Sequence, residues 1–146
     1  MRLRSILTGI IALSTVVVAA VFGTAAPAQA ATPQGVCGYS YWEVDREVID
    51  DAWTGAKLAT TYLMWNGTYN CVVTIAQSYH VSSGSNPWLT AELWTIDGGH
   101  RVDEGAYRSY AGPVKLRAPS CVKWWGDAYG NGLWGNTSRG NNWGHC

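Results

Sequence analysis

Three kinds of side chain in this sequence could do chemistry: the histidines His80, His100 and His145, a scatter of carboxylates, and the cysteines Cys37, Cys71, Cys121 and Cys146. A Ser–His–Asp hydrolase needs its histidine set beside a nucleophile by the fold, and no G-x-S-x-G elbow is present to offer one. His80 borders a polar loop, His100 a hairpin turn and His145 a cysteine. In such settings a histidine is ordinarily solvent-facing or locally bonded. Glu43, Asp45, Asp97, Asp103 and Glu104 could form a glycosidase pair only if the fold held two carboxyls ~5–10 Å apart. Asp97-Gly98-Gly99 with Asp103-Glu104 lacks the regular acidic spacing of a calcium loop, and no phosphate-binding loop occurs. With no C-x-x-C pair, the cysteines read as disulfides rather than zinc ligands. No catalytic residue, metal ligand or cofactor is therefore expected.

The sharper signal is aromatic. The chain has nine Trp and eight Tyr against one Phe. Flat rings bind sugars by burying the apolar C–H faces of the saccharide, while Asn side chains supply hydrogen bonds. Tyr129, Trp134 and Trp143 lie on a Gly/Asn-rich segment, 126–146, together with Asn131, Asn136, Asn141 and Asn142. These three rings are the candidate ligand-binding residues, and a polysaccharide of the cell wall or other envelope layer is the candidate partner. Trp42, Trp65, Trp94 and Trp124 fall on strand-like segments and are expected to fill the core of a domain poor in aliphatic residues.

The elements that must position these groups are short and punctuated. Tyr41 to Ile49 reads as a strand, with a helix through Asp45–Trp53 as the alternative. Ala59 to Trp65 is rich in β-branched and aromatic residues. Asn66-Gly67 follows as a hairpin signal, and Cys71 to Ile75 returns with Cys71, Val73 and Ile75 on one face. Val81 to Pro87 is a loop. Trp88 to Ile96 is a strand with Leu89, Ala91, Leu93 and Thr95 on one face, Asp97-Gly98-Gly99 turns the chain, and Arg101-Val102 returns. Tyr107 to Leu116 is interrupted by Pro113, which demands an edge or a bulge. Ser120 to Trp125 is the last clear strand. Beyond it no periodicity is visible, although a bridge from Cys146 would tie the segment down. Short, evenly spaced strands predict an all-β fold, a small antiparallel sandwich or barrel with two disulfides. Four cysteines allow three pairings. Cys37 and Cys71 open the first and third strand-like segments, which start at the same end of a meander, and this favours Cys37–Cys71 with Cys121–Cys146.

Residues 1–30 carry the pattern of a cleaved signal peptide: Arg2 and Arg4, an apolar run from Ile6 to Phe22, and Ala28-Gln29-Ala30 as the cleavage site. The run is shorter than the ~20 residues of a spanning helix, so the mature form, a single domain over 31–146, is expected to be exported without a membrane span. Ten Lys+Arg balance ten Asp+Glu, which excludes a basic nucleic-acid binder, and the aromatic content excludes a charged disordered chain.

Several segments carry a resemblance. Cys37-Gly38, Tyr62-Leu63-Met64-Trp65-Asn66 before Asn70-Cys71-Val72-Val73-Thr74, then Tyr110-Ala111-Gly112-Pro113-Val114, Cys121-Val122-Lys123-Trp124 and His145-Cys146 resemble the streptomycete spore-associated protein A family, small secreted actinobacterial proteins. The resemblance covers most of 31–146. It implies an exported protein found with spores or the cell surface, and it implies no catalytic residues. The expectation is a secreted, non-enzymatic spore- or cell-surface protein, structural or binding to envelope polymer. A small secreted hydrolase or an enzyme inhibitor is the alternative.

Overall fold

The computed structural model of the chain describes residues 31–77, 86–118 and 120–146. The leader and its cleavage site, His80 and most of the Val81–Pro87 loop lie outside the described residues. The rest is a β-sandwich of two four-stranded antiparallel sheets. The first sheet has the order β1-β2-β3-β6, built from Trp42–Asp50, Lys57–Trp65, Tyr69–Ala76 and Tyr110–Arg117. The second has the order β5-β4-β7-β8, built from His100–Ala106, Trp88–Thr95, Val122–Gly130 and Leu133–Asn136. A short helix, α1 (Pro33–Cys37), precedes them.

Each strand follows from side chains that alternate between the two faces of the pleat. Leu89, Ala91, Leu93 and Thr95 of β4 are all buried between the sheets, on one face as their spacing predicts. They meet Ala59, Leu63 and Val72 of the first sheet, with Ile49, Val114, Val122 and Trp124 completing the core. The helical alternative for Asp45–Trp53 is not realised, because Ile49 is buried against β2 while Val48 faces outward. Pro113 lies on the edge strand β6, at a register irregularity opposite β3, and its peptide bond with Gly112 is cis. The β2–β3 hairpin forms at Asn66-Gly67 with a three-residue loop, in which Asn66 Oδ1 accepts from the backbone of Thr68 and Tyr69 at 3.0 and 2.7 Å.

Both expected disulfides are present, Cys37–Cys71 and Cys121–Cys146. Cys37 closes α1 rather than opening a strand. The helix lies over the outer face of the first sheet, where Cys37, Tyr41, Met64, Cys71 and Val73 form a second, smaller buried cluster. Thr32 caps α1 by accepting from Gly35 N–H at 3.0 Å, and Pro33 starts it. β3 is therefore buried on both faces.

Two expectations are corrected. The strand tryptophans do not fill the core: only Trp124 is buried, at 1% exposure, while Trp42 is half-exposed and Trp65 and Trp94 are partly so. The aliphatic residues suffice because the two sheets approach closely along a seam of small side chains. Thr61 and Thr74 hydroxyls bond across β2 and β3 at 2.9 Å, and Thr74 donates to Thr90 O on β4 at 2.7 Å. Nor does regular structure end at Trp125. β7 continues to Gly130 and a further strand, β8, follows. The alternation was hidden because its inward positions there are Gly126, Ala128 and Gly135. A Cβ on Gly126 would overlap Thr61 Oγ1, and one on Gly135 would overlap the backbone carbonyl of Asp50. The glycines of this segment are contact residues of a tight sandwich, not filler. Asn131-Gly132, both at positive φ, form the two-residue turn between β7 and β8.

Candidate functional site

The outward face of the second sheet is aromatic. The same alternation that buries Leu89, Leu93, Trp124 and Ala128 turns Trp88, Trp94, Trp125, Tyr129 and Trp134 to the outside. Register then sets three of these rings side by side. Trp88 of β4 is paired with Tyr129 of β7, and Tyr129 with Trp134 of β8. They are 47%, 57% and 46% exposed. Neighbouring strands are ~4.8 Å apart, so the row spans about 10 Å across three strands. The next row on this face carries Asp127 between Thr90 and Asn136.

Trp134 is held from the far side as well. The Asp51 carboxylate accepts from Trp134 N–H at 2.9 Å, from Thr54 N–H and Oγ1 at 2.8 and 2.7 Å, and from Trp53 N–H at 3.2 Å. Ala52 N–H donates to Trp134 O at 3.1 Å. The β1–β2 turn thus satisfies both backbone groups of Trp134 at the outer edge of β8. The Trp134 N–H and then the Thr54 hydroxyl, against an opposing effect of burial, lower the Asp51 carboxyl to about 2. The same turn carries Trp53, whose ring is 89% exposed.

A second aromatic group lies six residues on along β4 and six back along the antiparallel β7, ~20 Å away at 3.4 Å per residue. There His100 stacks on Trp94 at 5.0 Å with its Nε2 at 2.5 Å from Glu92 Oε1. Lys123 Nζ stands 4.7 Å from the Trp94 ring and 5.7 Å from that of Trp143. Of the three rings expected to act together, the fold brings Tyr129 and Trp134 into contact range and puts Trp143 at the opposite end of the face. Trp88, Trp94 and Trp53 were missed. The signal for the first two was present: once Leu89, Ala91, Leu93 and Thr95 are assigned inward, Trp88 and Trp94 must point outward.

Most of the carboxylates and histidines have partners within the fold. Asp103 accepts from Tyr107 Oη and Gly112 N–H, each at 2.6 Å, and this carboxylate raises the Tyr107 hydroxyl above its usual range. Asp97 accepts from the Thr95 hydroxyl, which lowers its carboxyl. Glu43 pairs with Arg46 at 3.5 Å. His145 Nε2 lies 3.0 Å from Asp45 Oδ2, and Ser138 Oγ donates to Glu47 at 2.9 Å. Among the described residues no group of three or more His, Cys, Asp or Glu side chains could hold a metal ion. No helix of these residues is long and apolar enough to cross a membrane.

No protein-family model matches the chain, and no solved structure does. It is 36% identical over 126 residues to Spore-associated protein A of Streptomyces coelicolor, an alignment that covers 84% of this chain and 75% of that protein. Identity of this extent, with the paired cysteines and the β-rich fold in place, makes the chain a member of the spore-associated protein A family.

Proposed function

We propose that this protein is an exported, non-enzymatic component of the spore or cell surface, and that the outer face of its second sheet binds envelope polysaccharide. The observation that carries the reading is the exposed row Trp88–Tyr129–Trp134, held in register by main-chain hydrogen bonds of three strands. A backbone fixed in this way needs no main-chain reorganisation to present the rings to a ligand. Successive residues of an extended polymer could each cover one ring, and individually weak contacts then reinforce one another. A contiguous exposed aromatic patch marks an interaction surface. Export is supported by the leader pattern of residues 1–30, and spore association by the name of the relative.

The test is retention of the disulfide-bonded protein on insoluble wall polysaccharide and purified peptidoglycan. Substituting Trp88, Tyr129 and Trp134 by Ala, singly and together, is expected to weaken retention stepwise, with circular dichroism unchanged. Equal retention of the triple variant, or none by the parent protein, would remove the reading.

A further inference from the structure

A cavity of about 310 Å³ opens at one end of the sandwich, lined by Val44, Trp65, Asn70, Ala118, His145 and Cys146. It is a different place from the aromatic row, and its lining joins β1, β2, β3 and the segment that the Cys121–Cys146 bridge draws back over the sheets. The volume equals that of about ten water molecules and falls at the lower end of the range for small-molecule sites.

Three features of its wall call for a ligand. Asn70 is only 4% exposed, and among the described residues its side-chain amide has no hydrogen-bond partner. A buried amide left in that state is costly, and native proteins rarely keep one without a partner from solvent or ligand. Val44 is the extra residue of an irregularity in the β1–β2 register, and it lines the cavity instead of keeping its place in the alternation. Bulges of this kind re-aim side chains next to binding sites. His145 Nε2 lies 3.0 Å from Asp45 Oδ2, and its Nδ1 has no hydrogen-bond partner among the described residues.

The geometry points to this cavity as a site for one N-acetylated hexosamine residue. A primary amide with both its N–H and its C=O unused is the complement of an acetamido group, which presents one C=O and one N–H. The methyl of that group needs an apolar contact, and Val44 and Ala118 provide it. The partly exposed Trp65 ring suits the C–H face of the sugar. No Asp, Glu, Lys or Arg side chain lines the cavity, which fits an uncharged ligand. The inference stands on Asn70 and not on the exposed row, so either reading can fail alone.

The experiment is a titration of the isotopically labelled, oxidised protein with N-acetylglucosamine, followed by the side-chain amide signals of Asn70 and the indole N–H of Trp65. Saturable shifts are expected, with a dissociation constant in the millimolar range, and glucose and glucosamine should bind at least about tenfold more weakly. Asn70→Leu should abolish the shifts at Trp65 and raise the melting temperature, because it removes an unpartnered amide at nearly constant volume. Val44→Phe, which fills the cavity from its rim, should abolish them independently. Trp134→Ala should leave the titration unchanged. Binding of chitotriose or of soluble peptidoglycan fragments would support the site and tell which polymer supplies the sugar. Absence of shifts with every acetamido sugar, equal shifts with glucose, or a lowered melting temperature for Asn70→Leu would overturn it.

Discussion

Replacing Cys121 and Cys146 together by Ala isolates what the second disulfide contributes. The bridge spans 25 residues, and closing a loop of that length is worth about 3.5 kcal/mol at room temperature when the effect is assigned to the unfolded chain. Neither cysteine is buried, so no core packing is lost with the sulfurs. The contacts near the bridge that could add to the loss are modest. Val122 and Gly144 exchange backbone bonds of 2.9 and 3.0 Å, and His145 pairs with Asp45 at an exposed site. The expected cost is therefore about 3–4 kcal/mol, or roughly 14 °C in melting temperature at about 4 °C per kcal/mol. The other bridge supplies the control. Cys37–Cys71 closes 34 residues, which adds only about 0.3 kcal/mol by loop length. Both of its cysteines are fully buried in the second cluster, however, so its double Ala variant loses packing as well and must fall further. Urea unfolding of the three proteins, with the slope monitored to confirm that the unfolded state alone has changed, measures both differences. A loss below about 1 kcal/mol for the Cys121/Cys146 variant, or a larger loss there than at Cys37/Cys71, would refute the reasoning.

Two further outcomes are expected. The Asp51 carboxyl titrates at about 2 when folded and at ~3.9 when unfolded. Its stabilisation is hence complete above the unfolded value and is lost as pH falls through the folded one. Asp51→Asn should melt below the parent protein at neutral pH, and the gap should narrow below about pH 4 and close near the folded value; a constant gap across thermal melts would contradict the bonding at the β1–β2 turn. Trp124→Ala should cost ~3–5 kcal/mol in urea, as expected for emptying a core site, whereas Trp134→Ala should cost at most ~1 kcal/mol. Similar losses for the two would mean that Trp134 belongs to the core.

Part of the fold is legible because local chemistry and tertiary structure agree. Leu89, Ala91, Leu93 and Thr95 alternate with polar and aromatic residues, and β4 obeys that pattern. Asn66 followed by Gly67 makes a hairpin whatever the surrounding fold. The segment after Trp125 is less legible, because inward positions filled by Gly126, Ala128 and Gly135 carry no hydrophobic signal. Only the approach of Thr61 and of the Asp50 backbone explains why those positions must be small. The one local clue was Asn131-Gly132, the same dipeptide as Asn66-Gly67, and both of its residues take positive φ in the turn.

By itself the sequence determined the fold class, the cysteine pairing as a preference, the family, and the idea that Trp and Tyr rings carry the binding. Those depend on residue types, alternation and order along the chain, which local physics reads directly. Tertiary structure decided which rings stand side by side. Registry between β4, β7 and β8 joined Tyr129 and Trp134 to Trp88, and it sent Trp143 to the far end of the face beside Lys123. It also turned Asn70, an unremarkable residue after a hairpin, into a buried amide facing a cavity. Register and enclosure are set by partners distant in sequence, and no local pattern encodes the distance between them.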